Sequence, residues 1–146
     1  SIGVGYTMPF KLVAADWVDA AELNRRLNAL EIPGVMFRPI HIKPFYSTGK
    51  GENLQGVEIY VTDAEAAPLT LVQFYVMQEL AAMYPDRRVM DTPEAAKRFG
   101  MFDKVTGSKQ IRRLFTKRHS VADMAPYWNK DVEPFRAASS KYHLYK

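Results

Sequence analysis

The sequence predicts an α+β fold: a small, mostly antiparallel sheet of about three or more strands packed against several helices, with a helical C-terminal third. Strand-type alternation in one segment, helix-type spacing in others and the absence of strand patterns late in the chain support this class. With 146 residues, 47% of them apolar and 25% charged, the chain is able to bury a core and is not disordered. We expect one domain over residues 1–146.

The first segment combines a glycine-bearing loop, a strand and a helix. Gly3 and Gly5 lie in the opening loop, where we expect them to satisfy a backbone requirement, and the apolar residues 10–15 are predicted as a strand. Over residues 20–30 the apolar side chains recur at spacings of three and four, which predicts an amphipathic helix. Asp19 is its expected N-terminal cap, and Pro33 with Gly34 prevents its continuation.

Two further strands follow, joined by a long polar connection. Residues 35–43 are rich in β-forming side chains, and Pro39, which has no N–H group, indicates an edge strand, a bulge or a strand end. Residues 44–55 are polar and contain glycine. Residues 57–62 alternate with a period of two, which predicts a half-buried strand.

The remainder is predicted to be helical. Residues 69–84 are apolar almost all round and should form the central buried helix, with Pro68 as its first residue. Later helices are expected after Thr92, after Ser108 through residue 118, and after Ser120, which forms a possible capping box with Asp123. Pro126 and Pro134 are expected to divide the last helical region, which ends near Tyr142.

Composition excludes several classes of chemistry. The chain has no cysteine, so disulfides, thiolate zinc sites, iron–sulfur centres and a catalytic cysteine are excluded. The three histidines are far apart, and the glycines of the opening loop lack the third glycine of a dinucleotide fingerprint, so we predict neither a metal nor a cofactor. The longest apolar stretch, residues 69–83, is too short and too polar to span a bilayer.

The candidate binding residues lie on nonregular backbone, where binding groups concentrate. Arginine presents a planar fork to a carboxylate, and aromatic rings can cover the apolar face of a sugar. The alternative interpretation is that these are ordinary loop residues and that the arginine belongs to a structural ion pair. The candidates are Tyr6, Thr7, Arg38, Phe45, Tyr46, Lys50 and Glu52.

A basic segment, residues 109–118, suggests a second hypothesis. Its apolar residues recur at helical spacing, which favours a docked amphipathic helix with a solvated basic face. The alternative is a docking or polyanion-binding module; nucleic acid is not expected, because the aromatic residues do not form an RNA-binding pattern. The cations concerned are Lys109, Arg112, Arg113, Lys117 and Arg118.

Several short strings, in order along nearly the whole chain, resemble the C-terminal part of NamZ-type peptidoglycan exo-β-N-acetylmuramidases, long catalogued as a domain of unknown function. The strings are SIGVGYTMPF at 1–10 with Trp17, PGVMFRP at 33–39, Gly51-Glu52 with Gly56-Val57, VTD at 61–63, FDKVTG at 102–107 and KYHLY at 141–145. The positions matched one by one are Gly3, Gly5, Thr7, Pro9, Phe10, Phe37, Arg38, Pro39, Gly51, Glu52, Gly56 and Asp63.

The resemblance implies that this is the smaller, C-terminal domain of an exported, two-domain bacterial glycosidase of the cell envelope. Such enzymes release N-acetylmuramic acid from the non-reducing ends of peptidoglycan fragments. The Rossmann-like N-terminal domain, which carries the proposed catalytic glutamate, is absent from this sequence, so no catalytic residue is expected here and the chain alone should be inactive. The first residue is Ser1 rather than Met, which fits a chain cut by design or from a longer polypeptide.

In this family the pocket lies between the two domains. The resemblance therefore implies that the opening loop and residues 37–52 form one wall of it, with a muropeptide or muramic acid glycoside as substrate and the N-terminal domain as partner. Arg38 is the expected contact to the lactyl carboxylate, and Lys43 or Lys50 is the substitute. The sequence departs from the family pattern at Val4, Leu54 and Tyr60, which affects the expected substrate preference and not the fold.

Overall fold

A computed structural model describes residues 1–145 and divides the chain into two compact units, Ser1–Met83 and Tyr84–Lys146. We call the first the sheet unit and the second the helical unit. The first contains a three-stranded antiparallel sheet, and the second is built from helices and turns. The predicted α+β class with a helical C-terminal part is thus confirmed, while the assignment of residues 1–146 to one domain stays a prediction.

The sheet has the order β1-β3-β2, so that β3 lies between the other two strands. Its strands are β1 (Leu12–Ala15), β2 (Val35–Ile42) and β3 (Leu54–Val61). β2 pairs with β3 along its whole length, from Val35 opposite Val61 to Ile42 opposite Leu54. β1 reaches only from Leu12, opposite Glu58, to Ala15, opposite Gln55, so the last residues of β3 extend beyond it.

The two faces of the sheet are covered differently. Helix α1 (Ala20–Asn28) packs against β2 and β3, and it also contacts helix α2 (Leu69–Met83). Phe37 of β2 and Val57 of β3 are buried in this layer. The predicted half-buried alternation of β3 holds only in part, because Val61, in phase with Val57, is 47% exposed and Glu58 on the other face is buried. The core of the unit includes the fully buried Leu23, Leu27 and Phe74.

The opposite face is covered by the opening loop instead of a helix. Tyr6 and Met8 from this loop pack on a cluster of buried side chains from all three strands, Leu12, Ala14, Ile42 and Leu54. This cluster places the loop over the end of the sheet at which β2 runs into the β2–β3 connection. The face that the loop covers also carries Arg38 and Glu58, since these two residues are opposite each other in the register and in phase with Leu12.

β2 is an edge strand, as Pro39 predicts. The side-chain amide of Asn28 occupies both backbone groups of Phe37: its Nδ2 donates to the Phe37 carbonyl at 3.0 Å, and its Oδ1 accepts from the Phe37 N–H at 3.0 Å. Backbone groups of residues two apart point to the same side of a strand. Pro39 therefore places its missing N–H on the same outer edge that Asn28 occupies.

Two helices of the sheet unit begin and end close to the predicted positions. The Asp19 carboxylate accepts from the Glu22 N–H at 3.0 Å and caps α1, as expected. α1 ends at Asn28, two residues before the predicted end. α2 is largely buried, as predicted, and begins at Leu69, so that Pro68 immediately precedes it and is not its first residue.

The glycine pair of the opening loop meets the backbone requirement that we expected. Gly3 and Gly5 have φ values of +81° and +93°, in the region that glycine adopts without strain. A Cβ atom at Gly5 would lie 1.9 Å from the carbonyl oxygen of Tyr46. The Phe45 N–H donates to the Gly5 carbonyl at 2.9 Å, so the opening loop is joined directly to the β2–β3 connection.

The helical unit has two 3₁₀ turns followed by short helices. The turns are Pro85–Arg87 and Val89–Asp91, and the helices are α3 (Pro93–Ala96), α4 (Phe99–Val105), α5 (Lys109–Arg118), α6 (Val121–Asn129) and α7 (Val132–Ser139), with a last 3₁₀ turn at Ser140–Tyr142. The predicted caps are confirmed at Thr92, which accepts from Ala95 N–H, and at Ser108, which accepts from Gln110 N–H.

Two details of this unit were predicted wrongly. Ser120 precedes α6, but its side chain makes no capping hydrogen bond, and the Asp123 carboxylate is held by Arg118 instead of completing a capping box. Pro126 does not divide the last helical region, because it lies inside α6; the break comes at residues 130–131. Pro134 lies in the first turn of α7, where a missing N–H costs nothing.

Among residues 1–145, the structure has no helix that is both long and apolar enough to cross a bilayer.

We expect Gly5→Ala to destabilise the protein by roughly 1–3 kcal/mol, because the new Cβ meets the Tyr46 carbonyl and the backbone is in a region unfavourable to alanine. Gly51→Ala is the matched control: Gly51 has a similar φ of +77°, but nothing lies within 4 Å of its added Cβ. Urea unfolding of both variants checks this. Equal losses would show that the close approach of the two loops is not a constraint.

Asp103→Asn should lower the free energy of unfolding by about 0.5–1 kcal/mol at neutral pH. The Arg112 guanidinium donates to both carboxylate oxygens at 2.8 Å and lowers the pKa of Asp103 below its ordinary value. The stabilisation is therefore present above the unfolded-state pKa and is lost as the pH falls through the lower native-state pKa. Urea titrations at several pH values should show the variant approaching wild type in acid. Glu94→Gln, which removes an exposed carboxylate without an ion pair in the described residues 1–145, is the control.

Candidate functional site

The opening loop and the β2–β3 connection meet and form the centre of the candidate site. The hydrogen bond from Phe45 to Gly5 and the close approach of Gly5 to Tyr46 bring the two segments together. Pro44, just before this contact, is fully buried and fixes the start of the connection. Tyr6 and Thr7, which follow Gly5 directly, are therefore next to the segment that carries Phe45 and Tyr46.

A groove of about 590 Å³ lies at this end of the sheet, and we call it the polar groove because five of its seven lining residues have polar side chains. Tyr6 contributes to it from the opening loop, while the other residues come from the ends of β2 and β3 and from the connection between them. Its lining combines a phenol, an imidazole, an ammonium group and two amides with two apolar side chains. The lining residues are Tyr6, His41, Ile42, Lys43, Asn53, Leu54 and Gln55.

Six of the seven groove residues are outside the sequence-predicted site; Tyr6 is the predicted residue that lines the groove. Lys43 was expected as a substitute for Arg38 and His41 as an isolated histidine, whereas no role was predicted for Asn53 or Gln55. His41 and Gln55 are opposite each other in the β2–β3 register. The predicted strand began at residue 57, which left Gln55 in the predicted connection, so only the observed register shows that these two residues are neighbours.

Two exposed aromatic residues of the connection follow the groove residue Lys43, from which they are separated by Pro44. The rings of Phe45 and Tyr46 meet edge to face, with centroids 4.9 Å apart and an interplanar angle of 66°. Both side chains remain largely exposed although aromatic groups of this size are normally buried. Lys50, Glu52 and Thr7 are exposed on the same two loops.

Arg38 does not line the polar groove, although it is on the same face of the sheet as Ile42. Along β2 the two residues are four positions apart, a separation of about 13 Å. The Arg38 guanidinium instead donates through Nε and Nη2 to Oε2 of Glu58, at 3.1 and 2.6 Å. The alternative interpretation of Arg38, a structural ion pair, therefore describes its contacts. Whether it also touches a ligand stays a prediction.

The ion pair is part of a small cluster with Tyr60. Glu58 is buried, with 4% of its surface exposed, whereas the side chain of Arg38 is 59% exposed. The Arg38 guanidinium carbon lies 5.4 Å from the centre of the Tyr60 ring. Burial and a hydrogen bond with Glu58 raise the pKa of Tyr60, and the charge of Arg38 opposes this. The hydrogen bond to Glu58 in turn raises the pKa of Arg38.

An apolar groove of about 580 Å³ lies beside the part of β3 that extends beyond β1. β1 and β3 form one of its sides and α2 forms another, and Ile2 and Phe10 contribute from the opening loop. Ile2, Phe10, Val61 and Leu69 are each at least 47% exposed. The groove thus presents contiguous apolar side chains beside the end of β3, where the Ile59 N–H still donates to the Lys11 carbonyl at 2.8 Å.

The histidines do not form a metal site in the part of the chain that the structure describes, where no group of three or more histidine or acidic side chains has suitable geometry. His41 lines the polar groove, and His143 is exposed. His119 is buried, with its Nε2 at 3.3 Å from Oδ1 of Asp91. Despite this proximity, neither ring nitrogen of His119 forms a hydrogen bond within residues 1–145, so the expectation of a surface or hydrogen-bonded histidine does not describe His119.

The cations of the basic helix α5 are of two kinds: some form ion pairs, and others form none within residues 1–145. Arg112 binds Asp103 and lies 4.2 Å above the centre of the Phe99 ring, and Arg118 binds Asp123. Lys109, Arg113 and Lys117 are exposed and form no ion pair within residues 1–145. The amphipathic helix predicted here is confirmed, since Ile111 and Phe115 are buried on its other side.

Comparison with known proteins gave consistent matches. Residues 1–145 match the family model described as exo-β-N-acetylmuramidase NamZ, C-terminal. The peptidoglycan β-N-acetylmuramidase NamZ of Bacillus subtilis (strain 168) is 32% identical over 146 residues, which are 99% of this chain and 34% of that protein. The crystal structure of a DUF1343 family protein from Bacteroides fragilis NCTC 9343 superposes with a TM-score of 0.93 at 55% identity, covering 100% of this chain and 38% of that one. The chain thus spans about a third of the length of these relatives.

We expect Arg38→Met to lower the melting temperature, because it leaves the buried Glu58 carboxylate without its cation. The double variant Arg38→Met with Glu58→Gln should recover part of this loss, since no buried charge then remains unpaired. In the single variant the pKa of Tyr60 should rise further, because the opposing charge of Arg38 is gone. Thermal unfolding and NMR titration of ring-labelled tyrosine measure these effects. A double variant less stable than Arg38→Met would contradict the assignment.

Proposed function

Since this chain belongs to the C-terminal family of exo-β-N-acetylmuramidase NamZ, we propose that it forms one wall of a pocket that binds N-acetylmuramic acid at the non-reducing end of peptidoglycan fragments. The polar groove between the opening loop and the β2–β3 connection is the observation that supports the proposal. The pocket is completed by the rest of a longer glycosidase, of which this chain corresponds to about a third.

The chemistry of the groove suits a sugar acid. Lys43 is exposed and forms no ion pair within residues 1–145, so its ammonium group is available to the lactyl carboxylate. The amide of Asn53 is suited to the N-acetyl group, since it can donate and accept. The Gln55 Oε1 accepts from the Ala20 N–H at 3.4 Å, so Gln55 is assigned only as a donor through its Nε2. Phe45 and Tyr46 offer exposed rings to the apolar side of the sugar, and Tyr6 offers a hydroxyl group.

We assign the contact to the lactyl carboxylate to Lys43 in preference to Arg38. Nε and Nη2 of Arg38 donate to Glu58, and the negative charge of that buried carboxylate already compensates the positive charge of the guanidinium. A second anion would have to compete with this pair. Arg38 remains in the proposed wall because it shares the sheet face with the groove, together with Thr7, Lys50 and Glu52, which lie on its two loops.

The bond-breaking groups are assigned to the other part of the longer protein, which we expect to contain a Rossmann-like domain. Glycosidases use two carboxyl groups at a defined separation. Glu58 is already committed to Arg38. This chain alone should therefore bind weakly and cleave nothing, and the exported, envelope-associated location of the longer protein is part of the proposal.

The apolar groove beside Ile2 is the proposed contact for that other part. The family model covers a C-terminal region, and the relatives are about three times as long as this chain, so a larger segment precedes the matched region in them. Ile2 lines the groove, and Ser1 is bound to the outer edge of β1, where its carbonyl accepts from the Ala14 N–H at 2.9 Å. The start of the matched region therefore lies beside the groove that we propose as the contact.

The test is Lys43→Gln in the longer enzyme, assayed on a chromogenic muramic acid glycoside. A charge-assisted hydrogen bond contributes about 1.5–3 kcal/mol, so KM should rise by about tenfold or more while kcat changes little. Amidation of the lactyl carboxylate should weaken wild type to the level of the variant and leave the variant unchanged. Lys97→Gln, an exposed lysine of the helical unit, is the control.

Arg38→Gln and Lys50→Gln complete the series. If only Arg38→Gln raises KM and removes the preference for the free acid, the anion contact is Arg38 and not Lys43. If none of the three variants changes KM or that preference, the wall assigned to these loops is wrong.

A further inference from the structure

The net charge of the chain is unevenly distributed between its two units. Residues 1–83 carry six basic and nine acidic residues, a net charge of −3, whereas residues 84–146 carry 14 basic and seven acidic residues, a net charge of +7. The two values add to the modest overall net charge of +4, which does not show this asymmetry. A strongly basic unit attached to an acidic one is typical of proteins that bind an anionic partner through one part.

Helix α5 carries three exposed cations in one row. The charges of Lys109 and Arg113 help to lower the pKa of Asp103, and that of Lys117 the pKa of Asp123, but none of the three forms an ion pair within residues 1–145. Lys109, Arg113 and Lys117 are spaced by four residues, so their Cα atoms follow the same side of the helix at steps of about 6 Å. We call these three residues the cation row. The helix contains no acidic residue, so the row has no partner on its own helix at the spacings where side chains meet.

The orientation of the row is fixed by the rest of the helix. Ile111 and Phe115 are 5% and 0% exposed and anchor the opposite side of α5. Arg112 and Arg118 are bound to Asp103 and Asp123, so they are less available to an external anion. The cation row consequently faces solvent on a helix that is held by burial on one side and by ion pairs at its flanks.

We propose that the cation row binds the acidic peptide stems of peptidoglycan and so retains the polymeric substrate. The polymer is identified through the proposed function, on which this inference rests. Carboxylates repeated along a polymer suit a row of cations better than a single anion does, because several weak contacts add. A nucleic acid is disfavoured because Phe115, the aromatic residue of α5, is buried and offers no stacking surface.

The experiment uses the longer enzyme and measures its cosedimentation with insoluble peptidoglycan sacculi. The variant Lys109→Gln/Arg113→Gln/Lys117→Gln should lose about tenfold in apparent affinity at low salt, and wild type should lose affinity as salt shortens the range of the charges. The control Lys97→Gln/Lys104→Gln/Lys141→Gln removes the same net charge from exposed lysines of the same unit. Arg113→Lys, which keeps the charge, should retain binding.

Equal losses in both triple variants would overturn the proposal, because net charge and not the row would then explain binding. Undiminished retention in the cation-row variant would overturn it as well. Displacement by single-stranded DNA at concentrations where soluble muropeptides do not compete would assign the row to nucleic acid instead. Circular dichroism and the melting temperature show that the variants are folded.

A second readout separates this inference from the proposed function. The cation-row variant should cleave the small chromogenic glycoside with wild-type kcat/KM, because that substrate has no peptide stem for the row to bind. Unchanged turnover together with unchanged retention contradicts the inference alone. Retention that depends on the row in an enzyme that cleaves no muramic acid glycoside contradicts the proposed function and leaves the row as a peptidoglycan contact.

Discussion

The candidate site depends on the close approach of two loops, made possible by a residue without a side chain. Gly5 lies against the carbonyl of Tyr46, and its own carbonyl accepts the Phe45 N–H. This contact joins the opening loop to the β2–β3 connection, and the cluster around Leu12 and Leu54 holds the loop on the sheet. This arrangement forms one side of the groove and holds the segment that carries the exposed aromatic pair. Backbone contacts therefore determine where the polar and aromatic side chains of the site lie.

Local sequence patterns predicted the bounds of a helix well where interactions between residues close in sequence determine those bounds. The bounds of α5 follow from a serine cap and helical spacing, and they are the same in the sequence analysis and in the structure. The failures arose where a distant or competing partner decides the outcome. Asp123 suited a capping box, but a neighbouring arginine competes for its carboxylate, and charge-assisted pairs are the stronger interactions. Pro126 was treated as a break, although helix α6 accommodates it.

The candidate site was predictable in part for the same reason. The family resemblance and the loop residues indicated the opening loop and the β2–β3 connection, which the structure brings together, because loops of polar and aromatic residues are recognisable from sequence. The ion pair of Arg38 with Glu58 joins strands 20 residues apart, and only the register shows which carboxylate faces the guanidinium. His41 and Gln55 require the same knowledge of register. Sequence spacing carries little information about such cross-strand neighbours.

The outer edge of β2 has a consequence for how the molecule associates with others. The Asn28 amide occupies the hydrogen-bonding groups of Phe37, and Pro39 offers no donor two residues further on. An incoming strand would find neither a free register nor a continuous ladder on this side, and such interruptions are how natural sheets avoid edge-to-edge aggregation. The other edge of the sheet is interrupted as well: at Ala14 of β1 the Ser1 carbonyl accepts the N–H at 2.9 Å and the Ser1 nitrogen donates to the carbonyl at 2.6 Å. Both edge strands therefore offer an incoming strand less than a full hydrogen-bonding ladder, so the sheet is protected against extension on either side.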